Sequence, residues 1–205
     1  MRKKQLEIAL QKLAAHPKPS AELEQYMTPG DVASTLLHLA YARGDIVDKI
    51  VCDLGCGTGR LAIGAALLGA KEVLGVDVDE VALKVAAQNA RKAGVEVKWL
   101  MVEVDEFSTK NIDTIIQNPP FGVQRRGADI KFLRKALELA KVVYSLHKAT
   151  PENRKFIAVR TKEAGGRITD RVELEFHIPR QFEFHIRDIY RFKVDLYRIL
   201  RGKHG

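Results

Sequence analysis

The sequence predicts an α/β domain: a doubly wound, mostly parallel sheet of seven strands with a C-terminal antiparallel hairpin, preceded by an N-terminal helical extension. Three observations carry that prediction. From residue 50 onward, short apolar runs alternate with segments of helical period. Glycines such as Gly69 and Gly94 mark the junctions between them. Past Gly165-Gly166, two alternating segments follow each other with no helix between. Repeated strand, helix, strand units with short turns imply right-handed crossovers and parallel strands, and the final pair implies a hairpin.

Leu6, Leu10 and Leu13, with Ile8 and Ala9 between them, suit an amphipathic first helix that stops before His16-Pro17-Lys18-Pro19. The two prolines remove donors and favour extended backbone, so this stretch is a connector. Thr28-Pro29-Gly30-Asp31 reads as the next helix start, with Thr28 as N-cap, Pro29 first in the helix and Asp31 completing a capping box. That helix runs through Leu36, Leu37 and Leu39 to about Arg43-Gly44. Strands are expected over 50–54, 73–76, 95–102, 112–117 and 142–146, and helices over 60–68, 80–92, 129–141 and 151–162. Residues 172–178 and 189–200 form the hairpin. Residues 1–45 are read as the extension with a cofactor segment, and 46–205 as the main domain.

Hydrophobic residues make up 46% of the 205, enough for one core, which excludes wholesale disorder. No apolar run approaches the ~18–20 residues of a membrane helix. Charges at Glu7 and Lys12 break any signal-peptide core, so a cytoplasmic location is expected. Cys52 and Cys56, with no Cys or His beside them, make neither a disulfide framework nor a zinc site, and no metal is expected. The net charge of +8 points toward a polyanionic partner without deciding it.

Asp53-Leu54-Gly55-Cys56-Gly57-Thr58-Gly59 follows a strand and opens a helix, a turn that lets backbone approach a nucleoside ligand where Cβ atoms would obstruct it. Glycines fall at 55, 57 and 59, and Arg60 stands where the dinucleotide fingerprint wants its third glycine. A nucleoside triphosphatase loop is absent. The segment resembles motif I of the class I, Rossmann-like methyltransferases that use S-adenosyl-L-methionine (SAM). That resemblance implies a ribose-binding acid at the end of the second strand, here Asp77 followed by Val78. It also implies an acid near the end of the third strand that takes the adenine amino proton, either Glu103 or Asp105, with Val104 beside it.

Asn118-Pro119-Pro120-Phe121 stands at the C-terminal end of the fourth strand, where an open α/β sheet holds its ligands. It resembles the Asp/Asn/Ser-Pro-Pro-aromatic motif of methyltransferases that modify planar nitrogen. The Asn118 side-chain oxygen and the Pro119 carbonyl can accept the protons of an exocyclic amine, Pro119 and Pro120 stiffen the loop, and Phe121 offers a face for a base. The motif fixes the atom class and leaves the substrate open.

Gln25-Tyr26-x-Thr28, the glycine loop, Asn118 to Gly122, Tyr144 to Lys148, Phe184-His185 and Val194-Asp195-Leu196 occur in this order. Together they are similar to the archaeal and eukaryotic family of methyltransferase-like protein 5, which methylates adenine N6 in small-subunit ribosomal RNA. The likeness implies cofactor contacts at Gln25, Thr28, Gly55, Thr58, Arg60, Asp77, Glu103 and Val104, within a set that also takes in Tyr26, Asp53, Gly57, Val78 and Asn118. It departs at Thr58 and Arg60, whose contacts are then expected through backbone. Eukaryotic relatives work with a small zinc-binding activator subunit.

Arg125-Arg126, just past the tetrapeptide, and His147-Lys148, past the fifth strand, are expected to meet RNA at the rim. Residues 180–205 carry seven Lys/Arg and three Asp/Glu, interleaved with Phe182, Phe184, Tyr190, Phe192 and Tyr197, which suits looped RNA or a strand pair with one apolar face. A target adenine must be unstacked to reach Asn118. Protein glutamine-N5 methylation shares the tetrapeptide but favours Tyr over Phe121. A DNA adenine enzyme usually carries an extra recognition domain, for which 205 residues leave little space. Guanine-N2 transfer and a non-catalytic RNA scaffold complete the alternatives.

Overall fold

A strand that is apolar along its whole length belongs inside a parallel sheet, covered on both faces. Ile50–Leu54, apolar at every position but Asp53, forms β1 and is buried at every position after Ile50. The computed structural model describes residues 1–20, 22–122, 127–179 and 189–202. In it α1 (Lys3–Gln11) and α2 (Gly30–Ala42) precede β1, followed by α3 (Arg60–Leu67), β2 (Glu72–Asp77), α4 (Glu80–Ala93), β3 (Lys98–Met101) and β4 (Ile112–Gln117). Then come α5 (Ala128–Leu139), β5 (Ala140–Lys148), α6 (Pro151–Glu163), β6 (Gly166–Pro179) and β7 (Ile189–Arg201).

The seven strands form one sheet in the order β3-β2-β1-β4-β5-β7-β6. β3, β2, β1, β4 and β5 pair in parallel, and β7 lies antiparallel to both β5 and β6. Strand order reverses between β1 and β4, so their C-terminal ends open the crevice in which doubly wound sheets hold ligands.

Alternation along each strand sends neighbours into different cores. Val51, Ile116 and Tyr144 pack with Leu6, Leu10, Leu36 and Leu37 of the first two helices. Cys52, Ile115 and Val143 face the other way, onto Leu133 and Leu137 of α5. Leu6 and Leu10 are fully buried, so the N-terminal extension is built into the core. Truncating either to Ala would cost about 2–5 kcal/mol. Arg154 of α6 grips the buried Asp195 of β7 through Nε at 2.7 Å and Nη2 at 3.0 Å, which ties helix to hairpin.

Several elements differ from the sequence expectation, β6 most of all: its pairing with β7 begins at Gly166, six residues before the expected 172. β3 starts at Lys98, three residues late, because Gly94 and Val95 terminate α4: Gly94 adopts φ 69° and the Val95 N–H donates to the Ala90 carbonyl. β5 is longer at both ends, since β7 pairs along it from Lys148 to Val142 and β4 pairs Ala140 with Ile112. α2 begins one residue later than expected, with Pro29 as N-cap and no side-chain cap. The Thr28 hydroxyl instead accepts a bond from Asn118.

No helix among the described residues is long and apolar enough to cross a membrane.

Candidate active site

Gly55, Gly57 and Gly59 of the loop after β1 all adopt positive φ, at 74°, 51° and 85°. At Gly57 nothing stands within 4 Å of where a Cβ would be, so the backbone there faces open space. The Gly57 N–H donates to Asp77 Oδ2 at 2.7 Å, and the Asp79 N–H donates to Asp77 Oδ1 at 3.0 Å. The acid at the end of β2 is thus locked against the glycine loop. Burial raises its pKa, against the pull of those backbone donors. Asp53, near the end of β1, accepts the Ala62 N–H through Oδ2 at 2.9 Å, while its Oδ1 is buried with no partner among the described residues. Burial pushes Asp53 up to about 8 despite the Ala62 donor, and Asp77 adds to the rise.

Gln25, Tyr26, Thr28, Asp53, Gly55, Gly57, Thr58, Arg60, Asp77, Val78, Glu103, Val104 and Asn118 all line one cleft at the reversal of strand order. Pro120 lines it too, whereas Pro119 and Phe121 lie outside the lining. Of the two third-strand acids, Glu103 lines the cleft, and the Asp105 carboxylate is 2.7 Å from Lys131 Nζ.

Asn118 follows β4 directly. Its Nδ2 donates to Thr28 Oγ1 at 3.0 Å, which fixes the amide, and its Oδ1 is buried with no hydrogen-bond partner among the described residues. An orphaned acceptor of this kind is costly unless a donor joins it. The Phe121 ring sits edge-on between Phe176 at 5.5 Å and Phe192 at 5.3 Å, so the hairpin sets its orientation.

The segment between α1 and α2 forms a strap over the cleft, pinned by contacts absent from any local motif. Asn89 accepts the Ala14 N–H and donates to the carbonyls of Ala14 and Thr58. Asp79 Oδ2 receives Gln25 Nε2 at 2.7 Å and His16 Nε2 at 3.0 Å. Burial raises the Asp79 pKa, but the Gln25 amide, the Ala82 and Val81 N–H groups and His16 together hold it below the ordinary value. Glu24 accepts the backbone N–H of Phe121. Sequence reasoning missed His16, Glu24, Asp79 and Asn89. Only the adjacency of Glu24 to Gln25-Tyr26, and of Asp79 to Asp77-Val78, signalled any of them.

The expected RNA rim divides. Arg125 and Arg126 lie outside the described residues, as do Phe182, Phe184 and His185. His147, expected at the surface, is only 1% exposed. It shares with Val143 and Ser145 the face of β5 that packs under α5, its Nε2 lies 2.8 Å from Ser145 Oγ, and its ring meets Tyr197. Lys148, the next residue, is half-buried on the opposite face.

A Pyrococcus horikoshii protein solved as a candidate RNA methyltransferase superposes with a TM-score of 0.93 and 48% identity, covering 98% of each chain. A Methanocaldococcus jannaschii protein is 39% identical over 97% of this chain and 94% of its own. The rRNA N6-adenosine-methyltransferase METTL5 of Danio rerio is 34% identical over 97% of this chain and 98% of its own. The chain belongs to the METTL5 family. The model of a second family, ribosomal protein L11 methyltransferase (PrmA), matches residues 35–119 and ends inside the tetrapeptide. The METTL5 match extends beyond that stretch on both sides, over 97% of this chain, and so covers Thr28, which holds the Asn118 amide, and Phe192, which packs on Phe121.

Proposed function

We propose that this chain transfers a methyl group from SAM to the exocyclic N6 of an adenine in RNA, with small-subunit ribosomal RNA as the substrate. The observation that carries the reading is Asn118: its amide is oriented by Thr28, and its unpartnered Oδ1 stands in the same cleft as Asp77 and Glu103. The family relatives named for rRNA adenosine-N6 transfer support the choice of nitrogen.

The residues present fit the cofactor. Asp77 and Glu103 offer carboxylates to ribose hydroxyls and to an adenine amine, the open backbone at Gly57 admits close approach, and the orphaned Asp53 Oδ1 suits an ammonium group. When bound, SAM supplies a methyl group activated by a sulfonium. The chain's own work is positioning. Asn118 Oδ1 accepts one proton of the adenine amine and the tetrapeptide backbone the other, turning the nitrogen lone pair out of the ring's π-system. These acceptors stand ready for positive charge developing on nitrogen. Phe121, set by Phe176 and Phe192, offers its ring to the base. No base need ionise the amine first; its proton leaves to water after transfer. Misplacement of about 1 Å costs ~100-fold. In this reading residues 1–45 serve as a strap-bearing extension of the methyltransferase domain at 46–205, and Arg125, Arg126 and Lys148 meet phosphate.

The test is transfer of labelled methyl from SAM into ribosomal RNA, duplex DNA and protein side by side, with and without the small zinc-binding activator that the family resemblance implies. N6-methyladenosine in the RNA is expected. Label in protein alone would move the assignment to glutamine-N5 transfer.

A further inference from the structure

Arg60 is the first residue of α3, with Gly59 as the N-cap and no acid in the first turn. The positive end of a helix disfavours a cation there. Burial disfavours it again, lowering the guanidinium pKa to about 10 with no carboxylate opposing the shift. Nη1 donates to the Thr28 carbonyl at 2.6 Å, and Nε is buried with no partner among the described residues. A residue at this position could be any good helix former. A desolvated cation with an orphaned donor is a net cost to the ligand-free fold.

The geometry shows where an anion would offset that cost. Arg60 lines the cleft together with Asp53, Gly57 and Asn118. Guanidinium presents its donors in a planar fork that matches a carboxylate side-on, and here the Thr28 carbonyl occupies Nη1 and turns the fork. Thr28 also receives Asn118 Nδ2 on its hydroxyl, so one residue orients both the guanidinium and the catalytic amide.

Resting on the SAM reading above, we propose that the Arg60 side chain binds the α-carboxylate at the methionine end of the cofactor and selects against nucleoside thioethers that lack that carboxylate. This replaces the backbone-only contact expected at position 60. The site takes the carboxylate of an amino acid; an RNA phosphate is the competing anion, and the experiment separates the two.

Calorimetry without RNA would compare S-adenosylhomocysteine with its decarboxylated analogue, which keeps the amine and lacks only the carboxylate. Wild type, Arg60→Met and Arg60→Lys would be measured, each with a ligand-free melting curve. Wild type should favour the carboxylate form. Arg60→Met should lose about 10–100-fold for S-adenosylhomocysteine and less than about threefold for the analogue. Arg60→Lys should fall between, because a point charge replaces a fork. If Arg60→Met weakens both ligands equally, or neither, the assignment is overturned. In a separate RNA titration of the same variants, weakened RNA binding beside unchanged S-adenosylhomocysteine affinity overturns it in favour of phosphate. If wild type binds neither nucleoside, the cofactor reading itself fails, a different outcome from a lost discrimination.

Discussion

Glu24 and Phe121, 97 residues apart, are joined by one bond: Glu24 Oε2 accepts the Phe121 backbone N–H at 2.7 Å. Glu24 is 6% exposed and adopts a φ of 49°, an uncommon left-handed conformation for a side-chain-bearing residue. The strap thereby reaches past the cleft and holds the loop that carries Asn118.

Removing that acceptor should disturb chemistry more than cofactor binding. Glu24→Ala is expected to lower kcat about 10–100-fold, with a smaller effect on S-adenosylhomocysteine affinity. Glu24→Gln, which keeps an acceptor oxygen, should recover most of the loss. Steady-state kinetics beside calorimetry checks both, and an unchanged kcat in the Ala variant would remove the positioning role.

Asp77 holds the Gly57 and Asp79 N–H groups through separate oxygens. Asp77→Ala frees the loop as well as removing the proposed ribose acceptor, and should weaken S-adenosylhomocysteine binding about 10–100-fold. Asp77→Asn keeps one acceptor and should lie between. Calorimetric affinities equal to wild type would contradict the assignment.

Asp53 makes ligand-free stability depend on pH. Its carboxyl is pushed up from 3.8 to about 8 by burial, so the folded chain binds a proton that the unfolded chain has released between those values. The penalty is absent below pH 4, grows as pH rises and is complete above 8. The ligand-free melting temperature should therefore fall from pH 5 to pH 8. Asp53→Asn, which still accepts the Ala62 N–H, should flatten that fall by up to about 4 kcal/mol, or ~8–16 °C. An identical pH slope in the two proteins would reject the buried proton.

What the sequence revealed follows the range of the interactions. β1 and β4 were legible to the residue because short segments rich in Ile, Val and Leu, bounded by turn residues, have only one comfortable place in such a sheet. The gathering of the glycine loop, Asp77 and Asn118 into one cleft was legible because each motif consists of a few adjacent residue types at a strand end. The ends of β5 were not, since β7, which extends the strand, lies some fifty residues on in sequence. The pins at Asp79 and Asn89 were hidden for the same reason, with partners 54 to 75 residues away. His147 misled because a polar residue near a strand end resembles a rim residue, whereas strand alternation turns it inward beside Ser145.

Arg125 and Arg126 are the proposed phosphate contacts nearest the tetrapeptide in sequence. Their double Ala variant should bind RNA more weakly at every sequence and with a salt dependence shallower by about 1–2 in the log–log slope. An identical slope would exclude both from the RNA surface.

The central claim is that Asn118 Oδ1 holds the adenine amine. The most direct measurement compares wild type with Asn118→Ala in a single-turnover reaction on small-subunit ribosomal RNA, with saturating SAM and nucleoside mass spectrometry. N6-methyladenosine should form with wild type and fall about 100–1,000-fold with Asn118→Ala, while calorimetry finds cofactor affinity within about threefold. Turnover retained by the Ala variant, or a methylated product other than N6-methyladenosine from wild type, would contradict the account.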